Sequence, residues 1–186
     1  MKTLPCEDCR FCPPQFGGLF PLPAAVFVSG RMRKIHWERK AQGIMTRREA
    51  REQAFCLLFE QAVGGEKIDD ILHAATEARD LIPSPFAEEL ALGAEEKAEE
   101  LDRVIGENIR GWSLRRLSKV TLALLRLSVY ELLFQPGTPA SVAINEAVEL
   151  AKTYGGKDDA PYINGVLASV ARKHRGEEAP RPQADS

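Results

Sequence analysis

The chain of 186 residues is 44% hydrophobic and 28% charged, ordinary for a soluble globular protein and enough for one well-filled core or two small ones. Its net charge of −2 divides unevenly: residues 1–44 hold seven Lys/Arg against three Asp/Glu, and residues 45–186 hold 18 against 24. The main body therefore lacks a general attraction for phosphate, so a nucleic-acid partner needs a local basic patch. No apolar run reaches the roughly 18–20 residues that span a bilayer.

Residues 1–44 contain five of the twelve prolines, three of the four cysteines and no sustained helical period, so the expectation is an unstructured extension. The segment "FGGLFPLPAAVFVSG" (Phe16–Gly30) comes nearest to a signal-peptide core. Pro21 and Pro23 interrupt it, and its basic cluster follows where a signal needs it to precede. Cys6, Cys9 and Cys12 offer three thiolates, but a closed zinc site takes about four ligands and no second CxxC or HxxxH accompanies them. Unpaired thiols in a reducing, cytoplasmic compartment are the expectation, with no metal and no cofactor.

From Thr46 onward the chain reads as helix. Thr46 caps a first helix whose apolar positions Ala50, Ala54, Phe55, Leu58 and Ala62 recur at three- and four-residue steps, and Gly64-Gly65 stops it. "EKIDDILHAATEARDLI" places Ile68, Ile71, Leu72 and Ala75 on one face. "SPF" at Ser84–Phe86 is a cap with proline in the first turn, opening one long helix through Leu90, Leu101, Val104, Ile105 and Ile109 that halts near Gly111. "KVTLALLRLSVYELLF" (Lys119–Phe134) is apolar nearly all round, which predicts a central helix buried by its neighbours. "SVAINEAVELAKTYGG" directs Val142, Ile144, Ala147, Val148 and Ala151 inward. "DDAPYINGVLASVARKHR" begins with a cap and Pro161, then buries Ile163, Val166, Leu167 and Val170. The polar, proline-bearing tail 176–186 is expected to be disordered. With no period-two strand, the fold class is all-α, as two small packed helical bundles.

Catalytic signatures do not stand out. There is no Gly-rich phosphate loop, HExxH, GxSxG or dinucleotide fingerprint, and no nucleophile and base converge, so the chain reads as a binding protein and not an enzyme. Three features ask for more than a core. Arg47, Arg48 and Arg51 crowd the start of a helix, where the macrodipole makes each cation cost a few tenths of a kcal/mol and a phosphate ligand would offset the repulsion. "TYGGKDDAPYING" (Thr153–Gly165) combines two turning glycines, the charge of Lys157, the acceptors Asp158 and Asp159, and the ring of Tyr162, which either stacks on a base or packs in the core. Asn145 and Glu146 lie inside an apolar helix, as a buried polar contact or as solvent-facing groups.

The stretches "VAINEAVELAKTYGG" and "YINGVLASVA", preceded by "LLRLSVYELL" and the Arg-rich "TRREAREQAFCLLFEQ", resemble the NusB family of transcription antitermination factors. The resemblance spans about Met45 to Lys173, strongest in the C-terminal half and absent before Met45. Met45 looks like the family's natural start, with 1–44 as upstream sequence, so the expected organisation is an extension (1–44), a NusB-like domain (45–175) of about seven helices, and a tail.

The resemblance implies binding to the boxA element of ribosomal RNA leader transcripts together with ribosomal protein NusE. This would take place within the RNA polymerase antitermination complex that holds other Nus factors, in the cytoplasm and away from any membrane. It also implies RNA contacts at Arg47, Arg48, Arg51, Lys157, Asp158 and Tyr162. It places the protein-binding surface at Phe59 on the first helix and at Arg115 and Thr121 around "LSKVTLALLRL". Thr121 and Leu122 depart from the acidic-basic pair common in the family, which removes a charge that could pair with NusE. The competing expectation is an RNA-binding module like that of certain ribosomal RNA cytosine methyltransferases, without their catalytic domain.

Overall fold

The structure, a computed structural model, describes residues 45–79, 83–109, 113–174 and 176. The expectations for 1–44, its cysteine cluster included, and for the tail beyond 176 fall outside the described residues. Within them lie seven α-helices and no strand: α1 (Arg47–Gly64), α2 (Ile68–Arg79), α3 (Pro85–Glu96), α4 (Ala98–Asn108), α5 (Lys119–Phe134), α6 (Ala140–Tyr154) and α7 (Asp159–His174). A 3-10 turn, Leu114–Arg116, precedes α5.

Local chemistry sets the ends of α1. Thr46 and Glu49 form a capping box: the Thr46 hydroxyl accepts from the Glu49 N–H (3.2 Å), and the Glu49 carboxylate accepts from the Thr46 N–H (2.8 Å). At the far end Gly65 takes φ +79°, a left-handed conformation that favours glycine, and its N–H returns to the Gln61 carbonyl at 2.8 Å.

Helix α5 is the hub. It packs against α1 and α3 on one side and against α4, α6 and α7 on the other, so the two expected bundles share it. Leu124, Leu125, Leu127, Val129 and Leu132 are all buried along it, as an apolar circumference requires. Its start is tied to the end of α1 by the Lys119 ammonium, which donates to the Ala62 carbonyl. Midway, Arg126 reaches α4 through a two-pronged bond to Asp102 at 2.8 and 2.7 Å.

Two helical expectations need correction. The single long helix from Ser84 is two helices, broken at Lys97, whose φ of −97° and ψ of 13° end α3 and begin α4. The break lets one segment serve both bundles: α3 packs on α1 and α2, and α4 packs on α7. Close above it Gly93 admits the ring of Tyr130, since an added Cβ there would sit 2.1 Å from the phenol oxygen. In α6 the buried set is Ala140, Ala143, Ile144, Ala147, Leu150 and Ala151, while Val142 is 41% exposed. The inward stripe runs through Ala143 and Ala147, which rotates Val142 out of the core.

Candidate functional site

The three arginines at the start of α1 have three different environments. Arg51 is not a surface cation. Its side chain is 7% exposed, and it grips the 2%-exposed Glu131 of α5, with Nε donating to both carboxylate oxygens (3.0 and 2.9 Å) and Nη2 donating at 2.7 Å. This two-pronged pair uses Nε and Nη2 and ties α1 to α5, where the sequence led to the expectation of a phosphate contact at Arg51. Arg47 is exposed and its guanidinium sits over Phe86 at the start of α3, 4.1 Å from the ring centroid, and the Arg51 guanidinium sits 5.7 Å from the same ring. Arg48 is 61% exposed and stands 3.9 Å from Glu146 and 3.6 Å from Glu149 on α6. Those distances describe loose ion pairs worth about 0–1 kcal/mol, which a phosphate displaces at small cost. Lys152 also donates to Glu149 at 2.9 Å, and that hydrogen bond holds the Glu149 carboxyl below its usual range, with burial opposing and Arg48 assisting.

Helix α6 runs past this helix start. At its beginning, Thr138, Pro139 and Val142 line an open groove of 370 Å³ with Arg47, Arg51 and Gln135. Further along, Glu146 and Glu149 face Arg48. At its end Tyr154 donates to Glu52 of α1 and packs on Phe55, 5.0 Å between ring centroids. Burial, reinforced by that bond, pushes the Tyr154 phenol well above its ordinary value. One helix therefore connects the cations of α1 with the loop at residues 155–158.

In that loop Lys157 and Asp158 are both exposed. Asp159, the first residue of α7, organises it: its Oδ2 accepts from the Gly156 N–H at 2.6 Å, and its Oδ1 accepts from the Thr121 hydroxyl of α5 at 3.0 Å. Gly155 permits this closeness, because a Cβ there would meet the Ala151 carbonyl oxygen at 2.7 Å and Asp159 Oδ2 at 2.8 Å. For Tyr162 the sequence left open stacking on a base and packing in the core, and its ring takes the core side. Its hydroxyl is buried, and burial raises its phenol above the ordinary value.

Of the expected protein-binding residues, Arg115 is exposed on the 3-10 turn, and Phe59 is partly buried, stacked on Phe55 with centroids 6.0 Å apart. Thr121, expected on the partner-facing segment, is 2% exposed, and its hydroxyl bonds to Ser118 and Asp159. Asn145 is exposed, and Glu146 faces Arg48. Sequence reasoning missed Phe86 and Glu131, and it named Asp159 as an acceptor without its Thr121 partner. Glu131 carried a signal, since a lone acid inside "SVYELLF" has to find a buried cation. No group of three or more His, Cys, Asp or Glu able to hold a metal occurs among the described residues, and no described helix is long and apolar enough to cross a membrane.

The fold and this face define an all-helical, two-bundle protein that presents cations from a capped helix start and from a glycine-built loop joined to it by one helix. The profile of the NusB family matches residues 48–172, and the chain belongs to that family. The transcription antitermination protein NusB of Clostridium novyi is 38% identical over 132 residues, covering 69% of this chain and 99% of its own length. Among solved structures, NusB of T. maritima is similar with a TM-score of 0.62 at 35% identity, over 74% of this chain and 96% of that one. A crystal structure of antitermination factors NusB and NusE in complex with double-stranded RNA contains a chain similar with a TM-score of 0.62 at 27% identity, over 68% of this chain and 96% of that one.

Proposed function

We propose that this protein is a non-enzymatic, RNA-binding antitermination factor that works in the cytoplasm. It binds the boxA element of ribosomal RNA leader transcripts together with ribosomal protein NusE, inside the RNA polymerase complex that holds other Nus factors. The observation that carries this reading is the arrangement of Arg47 and Arg48 on a capped helix start, joined through α6 to exposed Lys157 and Asp158. The family membership and the related NusB–NusE–RNA complex support it. In this reading Arg47 and Arg48 meet phosphate, Lys157 adds a third positive contact, and Asp158 accepts from a base donor. Arg51 and Tyr162 act from behind, holding α1 and α7 in place. Arg115 and Phe59 serve the NusE-facing side.

The test is a titration of the full chain with boxA RNA and with a scrambled RNA, each with and without NusE. The expected result is preferential boxA binding that NusE strengthens, and general weakening in R47E and R48E variants. Equal binding of both RNAs, or indifference to NusE and to both charge reversals, would overturn the proposal.

A further inference from the structure

Thr121 is buried in the first turn of α5, yet its hydroxyl ends on the residue that shapes the exposed loop. The bonding order there is fixed by chemistry. A carboxylate only accepts, so Thr121 Oγ1 donates to Asp159 Oδ1 across 3.0 Å. Having given its proton away, Thr121 Oγ1 accepts from Ser118 Oγ at 2.7 Å, and Ser118 Oγ in turn accepts from the Thr121 N–H at 3.0 Å as the cap of α5. The chain of donation therefore runs from Ser118 through Thr121 to Asp159, and the second Asp159 oxygen holds the Gly156 N–H at 2.6 Å. Gly156 directly precedes Lys157. With Gly155 pressed against Ala151 and Asp159, the two ends of the loop are fixed, and Lys157 and Asp158 project between them.

We propose that Thr121 is a positioning residue for RNA binding: through Asp159 it holds the 155–158 loop so that Lys157 and Asp158 meet RNA without a further ordering step. The proposal rests on the RNA-binding reading above and deepens it. It also gives the uncharged residue at this position a function of its own, since its hydroxyl serves the loop through Asp159. Ordering a loop in advance removes part of the entropic cost of association, so its loss shows as weaker binding.

The experiment uses the full chain and three variants: T121V keeps the shape and removes the hydroxyl, T121S restores it, and K157A removes the loop cation. T121V is expected to bind boxA RNA about three- to tenfold more weakly, within the worth of one hydrogen bond to a charged group, and T121S to recover most of that loss. The K157A loss is expected to shrink in the T121V background, whereas the R48A loss stays the same, because only Lys157 depends on the loop. Hydrogen exchange at the Gly156 amide, measured without RNA, is expected to accelerate in T121V and return in T121S. Unchanged Gly156 exchange in T121V, or T121V and K157A losses that simply multiply, would overturn the positioning role. A wild-type chain that ignores boxA RNA would refute the RNA reading by itself, and Gly156 exchange would still decide whether Thr121 holds the loop.

Discussion

Replacing Arg51 separates a phosphate contact from a structural tie. In the folded protein its guanidinium makes three contacts of 2.7 to 3.0 Å with Glu131, and the two side chains are 7% and 2% exposed. R51A leaves Glu131 buried among leucines with its charge unmatched, a change that costs about 3–5 kcal/mol. Total stabilities run to about 5–15 kcal/mol, so the loss is a large share, equivalent to a fall of about 10–20 °C in Tm for a domain of this size. The double variant R51M/E131M removes both charges, and exchanging a buried pair for packed apolar groups is neutral or mildly stabilising. Urea unfolding followed by helical circular dichroism measures both. The same double variant also tests function, because Arg51 contributes no released counterion if it never meets phosphate. Its salt dependence of RNA binding is expected to match wild type, whereas R48A loses about one counterion. An R51A cost below about 1 kcal/mol, or a shallower salt slope in R51M/E131M, would refute the reasoning.

Two tyrosines give further expectations. The Tyr154 phenol is raised by burial and by its bond to Glu52, so its folded value exceeds its unfolded one. That contribution is complete below pH about 10 and fades as pH rises further, so Y154F should lose less stability than wild type between pH 9 and 11 and cost about 1 kcal/mol at neutral pH, both read from urea midpoints. Y162A should destabilise by about 2–3 kcal/mol, somewhat under the range for a fully buried aromatic, while the folded protein binds boxA RNA within about twofold of wild type. Tighter dependence of binding on this ring would return it to the RNA face.

The helices were legible because α5 is apolar on every side and the others repeat at three and four residues. Gly65, Ser84 and Pro85 then punctuate them by known rules. What the pattern could not report was a change of axis. Lys97 interrupts no stripe, because Leu90, Ala94 and Leu101 continue the inward spacing across it, and only the two different sets of neighbours reveal the bend. The candidate site was half legible for a similar reason. Charge type is printed in the sequence and burial is not, so Arg47, Arg48 and Arg51 looked equivalent until Glu131 of α5 claimed one of them, 80 residues away. The burial of Thr121 was equally hidden: in a segment that lacks the family's common charge, it is an interior hydroxyl with two partners.

Arginines crowded at a helix start carry a repulsion that a phosphate ligand would offset. Most of that repulsion is met inside the protein: Glu49 closes the capping box, Glu131 neutralises Arg51, Phe86 offers Arg47 the negative face of its ring, and Glu146 and Glu149 stand near Arg48. Electrostatic discomfort at a helix end is therefore weak grounds for a ligand, and only the exposed remainder counts toward one. That remainder is Arg47 and Arg48, with Lys157 added from the loop. Three phosphate contacts on single-stranded RNA predict a slope of log K against log salt near about −2, shallow beside proteins that make roughly 6–10 contacts. So modest a term leaves much of the binding energy to be supplied by something else, which is what a protein co-binding the same RNA provides. The slope for the chain alone is expected near about −2 and to steepen when NusE contributes its own cations. A slope of about −4 or steeper without NusE would mean that further cations of this chain engage the RNA, and the face drawn from α1, α6 and the 155–158 loop would be too small.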